Sequence, residues 1–384
     1  MLLAQTSYDK EYKAQPSIMC VYDENMNLVY GVQTADPTDT GAITWGGYTN
    51  LYGITTGSDG TNYCLYCIDY DAAVIFRVID AGSDVYNFDS TSIYPYAPLT
   101  SAPEGTKGYG VDITTDGSAI YGLFANATDV WNGDYSNSAV VKLPMTLGTT
   151  VSARNDGFAY NAFSLQLYTG GTEHELLVTS IGGKQNYGST NGDASKIQEI
   201  ITDFSSTTTV DTLLIGGSTA LRGDFRALAF KADGSDAFIF TGRYDTAGTT
   251  FSGALYHTTM TALEAQDGAL ITDDGVSDAN IVLSSISGYL WALLYSQADS
   301  ATWMARGNDL AVYKYTSGSP SSINLKASIA MSDLATGSTP GDYSLNSVTI
   351  FGTTTALRGY QAPAAASHGQ AAVLERMRLL KLKK

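Results

Sequence analysis

A chain of 384 residues with 44% apolar and only 15% charged side chains has enough material for a packed core, which excludes intrinsic disorder. The formal charge of −17 is uneven: the last twelve residues set five cations (Arg376, Arg378, Lys381, Lys383, Lys384) against Glu375, a net +4, which leaves −21 on the rest. So acidic a body lacks the cations that phosphate backbones and anionic headgroups require, which excludes nucleic acid as a partner and leaves membrane contact only to the basic tail.

Residues 1–16 read as an N-terminal extension. The apolar part of MLLAQTSYDKEYKAQPS is too short for a signal peptide. Abundant Gly (39) and Tyr (26), with many Ser, Thr and Asn, nevertheless give an extracytoplasmic composition. The chain is therefore expected to begin near a mature N-terminus and to be extracellular, on the cell surface or periplasmic.

From Ser17 onward, β-prone runs alternate with turn chemistry, which points to an all-β fold. One kind of element is a hairpin around a two-residue Asp-Gly or Gly-Gly turn, a pair that favours positive φ. It occurs in GSDGTNYCLYCI from Gly57, DITTDGSAIYGLF from Asp112, YTGGTEHELLVTS from Tyr168 and KADGSDAFIFTG from Lys231. The second turn glycines, Gly60, Gly117, Gly171 and Gly234, stand 57, 54 and 63 residues apart. Weaker members surround Gln297 and Gly352. The other kind begins at Ser17, Ala73, Ser138, Ser195, Gly253 and Asp309, each again two β-prone runs around a turn. With the first kind labelled strands A and B and the second C and D, each repeat is a four-stranded antiparallel sheet of about 60 residues.

Repeats of this size resemble β-propeller blades, and the polar Asp-Gly turn followed by an apolar strand is similar to the loose signature of NHL-type and YncE-type propellers. The resemblance spans Ser17 to Tyr360 and implies six four-stranded blades over residues 17–361. The chain opens with a C-D pair (residues 17–35) and closes with an A-B pair (residues 341–361), so the ring is expected to close by pairing its two ends, which removes open sheet edges. Residues 362–384 change abruptly to helix formers. Val373, Met377 and Leu380 fall on one face, which predicts a short basic C-terminal helix.

The propeller expectation sorts the loops. A-B and C-D turns share one face, while B-C loops and blade-to-blade D-A connections share the other. Long B-C loops are expected at residues 126–137, 180–193 and 242–251, with long D-A connections from Asp36 and Asp89. They carry Trp45, Trp131, Tyr135, Asn186, Tyr187, Arg243, Tyr244 and Asp245. Aromatic faces with amides, acids and a guanidinium suit a carbohydrate or protein ligand, so a binding or adhesion module is the leading expectation.

Two alternatives stand beside it: a structural surface-layer subunit, and a hydrolase. Six-bladed hydrolases that resemble lactonases hold calcium in the channel, and that resemblance implies Asp112, Asn161, Asp224 and Asn346, on or near strand A, as metal ligands. No cofactor is otherwise expected, and the only histidines, His174, His257 and His368, share no metal-ligand spacing. Cys64 and Cys67 have CxxC spacing, but three residues along a strand they point to opposite faces and read as small core fillers.

Overall fold

The computed structural model describes residues 2–8, 14–22, 28–33, 51–80, 86–130, 134–182, 195–216, 224–244, 251–265, 269–270, 281–286, 290–296, 301–306, 309–314, 324–330 and 343–349. Among these residues nearly everything regular is strand. The second sheet runs β4 (Leu51–Ser58), β5 (Tyr63–Asp69), β6 (Val74–Asp80), β7 (Tyr86–Pro95), each paired antiparallel to the next. The third repeats the order with β8 (Lys107–Thr115), β9 (Ala119–Asp129), β10 (Asp134–Pro144) and β11 (Ala153–Tyr160). The fourth has β12 (Ala162–Tyr168), β13 (Glu175–Ser180), β14 (Lys196–Ile201) and β15 (Asp211–Ile215).

The fifth sheet holds β16 (Phe225–Phe230), β17 (Ala237–Tyr244), β18 (Phe251–Thr258) and β20 (Ile281–Ile286). The sixth holds β21 (Leu290–Ser296), β22 (Ala301–Arg306), β23 (Asp309–Lys314) and β24 (Asn324–Ala330). The first is assembled from both ends of the chain: β25 (Tyr343–Thr349), β1 (Leu2–Tyr8), β2 (Ala14–Tyr22) and β3 (Leu28–Gln33), in that order. Their leading strands touch in the sequence β4, β8, β12, β16, β21, β25 and back to β4. The architecture is a β-propeller.

Two expected boundaries are corrected. The two chain ends do share a sheet, but β25 pairs with β1, from within the supposed extension, rather than directly with residues 17–35. Leu2, Leu3 and Ala4 pair with Thr349, Val348 and Ser347, which satisfies the backbone groups along the edge that β25 would otherwise leave open. The expected partner strand after β25, and the basic tail, lie outside the described residues.

The second correction concerns the fifth repeat, where the expected second strand of the C-D pair is replaced. Thr259 caps a short helix, α1 (Met260–Glu264), by accepting from the Ala262 amide. The chain then forms β19 (Ala269–Leu270), which pairs in parallel with β15 of the preceding sheet. Met, Ala, Leu and Glu are good helix formers, so the hairpin expected here yields to a turn of helix.

The cores lie between sheets. Cys64, Tyr66 and Ile68 of β5 meet Ile113, Ile120, Phe124 and Val141 of the third sheet. A second cluster joins Tyr121, Leu123 and Phe158 to Leu165, Leu176 and Val178. A third joins Leu177, Ile197 and Leu214 to Phe225, Leu228, Ile239 and Tyr256. β5 thus buries both faces along its whole length. Cys64 and Cys67 are free, buried thiols, and burial pushes the Cys64 thiol up to about 11.

The Asp-Gly turns behave as read. Gly60, Gly117 and Gly234 have φ of +91°, +84° and +71°. Asp116 Oδ1 accepts from the Ser118 and Ala119 amides, while the Tyr121 hydroxyl donates to Oδ2 at 2.7 Å. These acids are turn chemistry. Gly171 lies in a longer turn between β12 and β13 and does not share the positive φ.

Candidate functional site

The chain enters β4 and β8 on the same face of the propeller, the face that carries the B-C loops. There Tyr52 of β4, Tyr70 just beyond β5 and Tyr109 of β8 form a ladder of half-buried rings. The Tyr52 and Tyr70 centroids are 4.4 Å apart with planes at 23°, and Tyr70 and Tyr109 are 4.9 Å apart at 39°.

Local sequence sets this geometry. The register between β4 and β5 shifts between Leu51 and Gly53, and Tyr52 sits in that irregularity. Asp69, 2% exposed, holds the following turn by accepting from the Ala72 amide at 2.8 Å. The Gly110 amide donates to the Tyr70 carbonyl at 3.1 Å, tying the two sheets together beside the rings. A Cβ on Gly110 would collide with the Asp69 carbonyl, so only glycine allows this approach.

Burial raises the Tyr109 phenol above its usual range, and the charges of Asp71 and Asp129 add to it. The site is therefore a stack of aromatic faces carrying phenol hydroxyls, with the Asp71 and Asp129 carboxylates near Tyr109. Such a surface can stack on the apolar face of a sugar ring or on a side chain while its hydroxyls and acids take directional hydrogen bonds.

These three tyrosines were not singled out from the sequence, although a signal was there. Tyr52-Gly53 and Tyr109-Gly110 are the same dipeptide 57 residues apart, the spacing of the turn glycines Gly60 and Gly117.

The residues expected on the loops fare unevenly. Tyr135 lies in β10 rather than in a loop, and its ring packs against the cluster between the third and fourth sheets. The long loop expected at 126–137 is mostly hairpin: Tyr135 pairs with Ala127 and Ser136 with Asn126, whose Nδ2 donates to the Asn137 carbonyl at 2.7 Å. Arg243 and Tyr244 end β17, paired with Ser252 and Phe251. Trp45, Trp131, Asn186, Tyr187 and Asp245 lie outside the described residues.

Asp112, 6% exposed, spends both carboxylate oxygens on backbone: Oδ1 accepts from Ile113 and Oδ2 from Leu165 of β12, at 2.9 and 2.8 Å. It is a tie between the third and fourth sheets. Asn161 joins β11 to β12 with φ of +55°, and its Nδ2 has no partner. Asp224 lies 3.9 Å from the fully buried Arg226 guanidinium, whose Nε donates to the Gly242 carbonyl at 2.8 Å and whose plane covers Phe163. Asn346 lies in β25. Among the described residues no group of three His, Cys, Asp or Glu side chains is arranged to hold a metal.

A separate concavity of about 440 Å³ opens at the outer rim between β11 and the turn before β15, lined by Leu99, Arg154, Asp156 and Val210 among others. Its guanidinium is already engaged by Asp156, the Ala97 carbonyl and the Tyr96 hydroxyl.

No family model matches this chain, and no curated protein matches it in sequence. Among solved structures it is similar to a hypothetical selenium-binding protein from Sulfolobus tokodaii, with a TM-score of 0.50 and 10% identity over 87% of this chain and 75% of that one. Fainter similarities are to a putative 6-phosphogluconolactonase from Bacteroides fragilis (TM-score 0.43, 10% identity, 86% and 95% covered) and to the Dos1 propeller (TM-score 0.37, 10% identity, 84% and 71% covered). At these identities the likeness is one of fold alone.

Proposed function

We propose that this protein is a binding or adhesion module working outside the cytoplasm, a closed six-bladed propeller that takes a glycan or protein ligand on its loop face. The observation that carries the reading is the ladder of Tyr52, Tyr70 and Tyr109, three rings fixed by inter-sheet hydrogen bonding, with Asp71 and Asp129 near Tyr109. Stacked rings held by a rigid scaffold lose little entropy on binding, which is why aromatic anchors dominate recognition surfaces.

The six sheets are taken as the blades of one ring, supported by their cyclic order and by the pairing of β25 with β1. A closed ring of this kind holds its loops in fixed relation and leaves the face free for a ligand.

The test is a glycan array and a pull-down from surface extracts, each run with wild type, Tyr70→Ala and Tyr70→Phe. Tyr70→Ala should weaken binding about 30-fold, corresponding to the loss of about 2 kcal/mol at a central aromatic anchor, while Tyr70→Phe, which keeps the stack, should bind nearly as wild type. Unchanged binding by Tyr70→Ala, with binding abolished instead by changing Trp131, Tyr187 and Arg243, would move the site to the other loops.

A further inference from the structure

The segment that leaves β18 does not stay in its own sheet. After the Thr259 cap, α1 lays Met260 and Leu263, 0% and 2% exposed, into the cluster between the fourth and fifth sheets. The Met260 amide donates to the Gly234 carbonyl, and β19 adds to the edge of the fourth sheet beside β15. Residues 259–265 and 269–270 thus strap one sheet to its neighbour.

Where the strap lands, charge is poorly compensated. Glu199 of β14 pairs with Leu177, two residues from Glu175 on β13, so both carboxyls lie on one face. Asp211 of β15 pairs with Glu199 from the other side. One carboxylate oxygen of Glu175 and one of Glu199 are buried with no hydrogen-bond partner. Glu264, at the exposed end of α1, adds its charge to both.

The other titratable groups around them offer no relief. Glu173 and exposed His174 precede β13, Tyr168 of β12 pairs with Glu175, and Asp233 in the next turn is bound to Lys231 at 2.9 Å. A buried carboxylate oxygen lacking a donor is costly when ionised and far less so when protonated.

We propose that Glu175, Glu199, Asp211 and Glu264 form a proton-operated latch, in which the strap seats on the fourth sheet when the cluster takes up a proton and loosens when every member is ionised. Burial pushes Glu199 up to about 7, with Glu175, Glu264 and Asp211 adding to it, and burial likewise raises Glu175. A carboxyl raised in the seated state binds its proton more tightly there than when released. The latch is therefore strongest below about pH 4.5, weakens as pH rises through about 7, and is loosest above it.

Hydrogen exchange of the full chain at pH 5 and pH 8, corrected for intrinsic rates, tests it. Amide protection over residues 259–265 and 213–215 should fall on the order of a hundredfold between the two, the size a shift of this kind allows. Glu199→Gln should remove that fall and stay protected at pH 8. Glu264→Gln, at an exposed helix end where folding is safe, should reduce it. Equal protection in wild type at both pH values, or a fall that persists undiminished in Glu264→Gln or Glu199→Gln, overturns the proposal. So does protection that is equal at pH 5 and pH 8 yet rises with millimolar calcium, which would make the cluster a cation site.

Discussion

The seam at the second sheet and the seam between the fourth and fifth are built from the same repeat but handle charge in opposite ways. In the second sheet, Arg77 of β6 bonds Asp59 of the A-B turn at 2.7 Å and Asp89 of β7 at 2.8 Å, so one guanidinium spans the sheet and leaves both acids paired. At the strap, Glu175, Glu199, Asp211 and Glu264 gather with buried oxygens unpaired. A propeller can thus hold rigid and responsive charge clusters in different sheets, because the backbone ladder supports each sheet whatever its side chains do.

The contrast predicts opposite responses to acid. Burial alone would raise Asp89, but hydrogen bonds from Thr91, Ser92 and Arg77 overcome it and hold the carboxyl far below its usual range. A depressed carboxyl contributes stability that is present above its unfolded pKa of about 4 and is lost as pH falls. Acid therefore weakens the Arg77 seam and tightens the strap.

The largest effect should come from Arg77→Ala. It strands Asp59 and Asp89 as partly buried anions and should cost about 3–5 kcal/mol, read as a lower urea midpoint at pH 7. A smaller effect of opposite sign should follow Glu199→Gln: stabilisation of about 1–3 kcal/mol at pH 8, fading to nothing below about pH 4.5, where the wild-type carboxyl is protonated in both states. If Glu199→Gln shifts stability equally at both pH values, the two seams do not differ as described. The smallest should be Thr259→Ala, which removes the cap of α1 at about 1 kcal/mol and should loosen the strap without touching the ladder.

What could be read in advance depended on how local the cause was. Asp59-Gly60, Asp116-Gly117 and the strand alternation around them were legible, because a turn is decided within four residues. The loop at 126–137 was overestimated because Asn126, Asp129, Asp134 and Asn137 are turn formers by type, yet here they lie on paired strands, where Asn126 bonds the Asn137 carbonyl. The strand at Leu2–Tyr8 was missed although one partner, Ala14–Tyr22, lies close by, because the other, Tyr343–Thr349, is at the far end of the chain. Asp112 was expected as an ion ligand on the strength of its place on strand A; a tie to Leu165 depends on a neighbouring sheet, which no single repeat reveals. The ladder needs three such positions at once, and only the repeated Tyr-Gly dipeptide hinted at it.

The pairing of β1 with β25 also sets a timetable. Between Gln33, the end of β3, and Tyr343, the start of β25, the ribosome must add 310 residues. At about 5–20 residues per second that is roughly 15–60 s. Through that interval β1 keeps an open edge, exposed to neighbouring nascent chains and to chaperones. The sheet that joins β1 to β25 is thus the last of the six to be finished at synthesis and the one most exposed to mispairing.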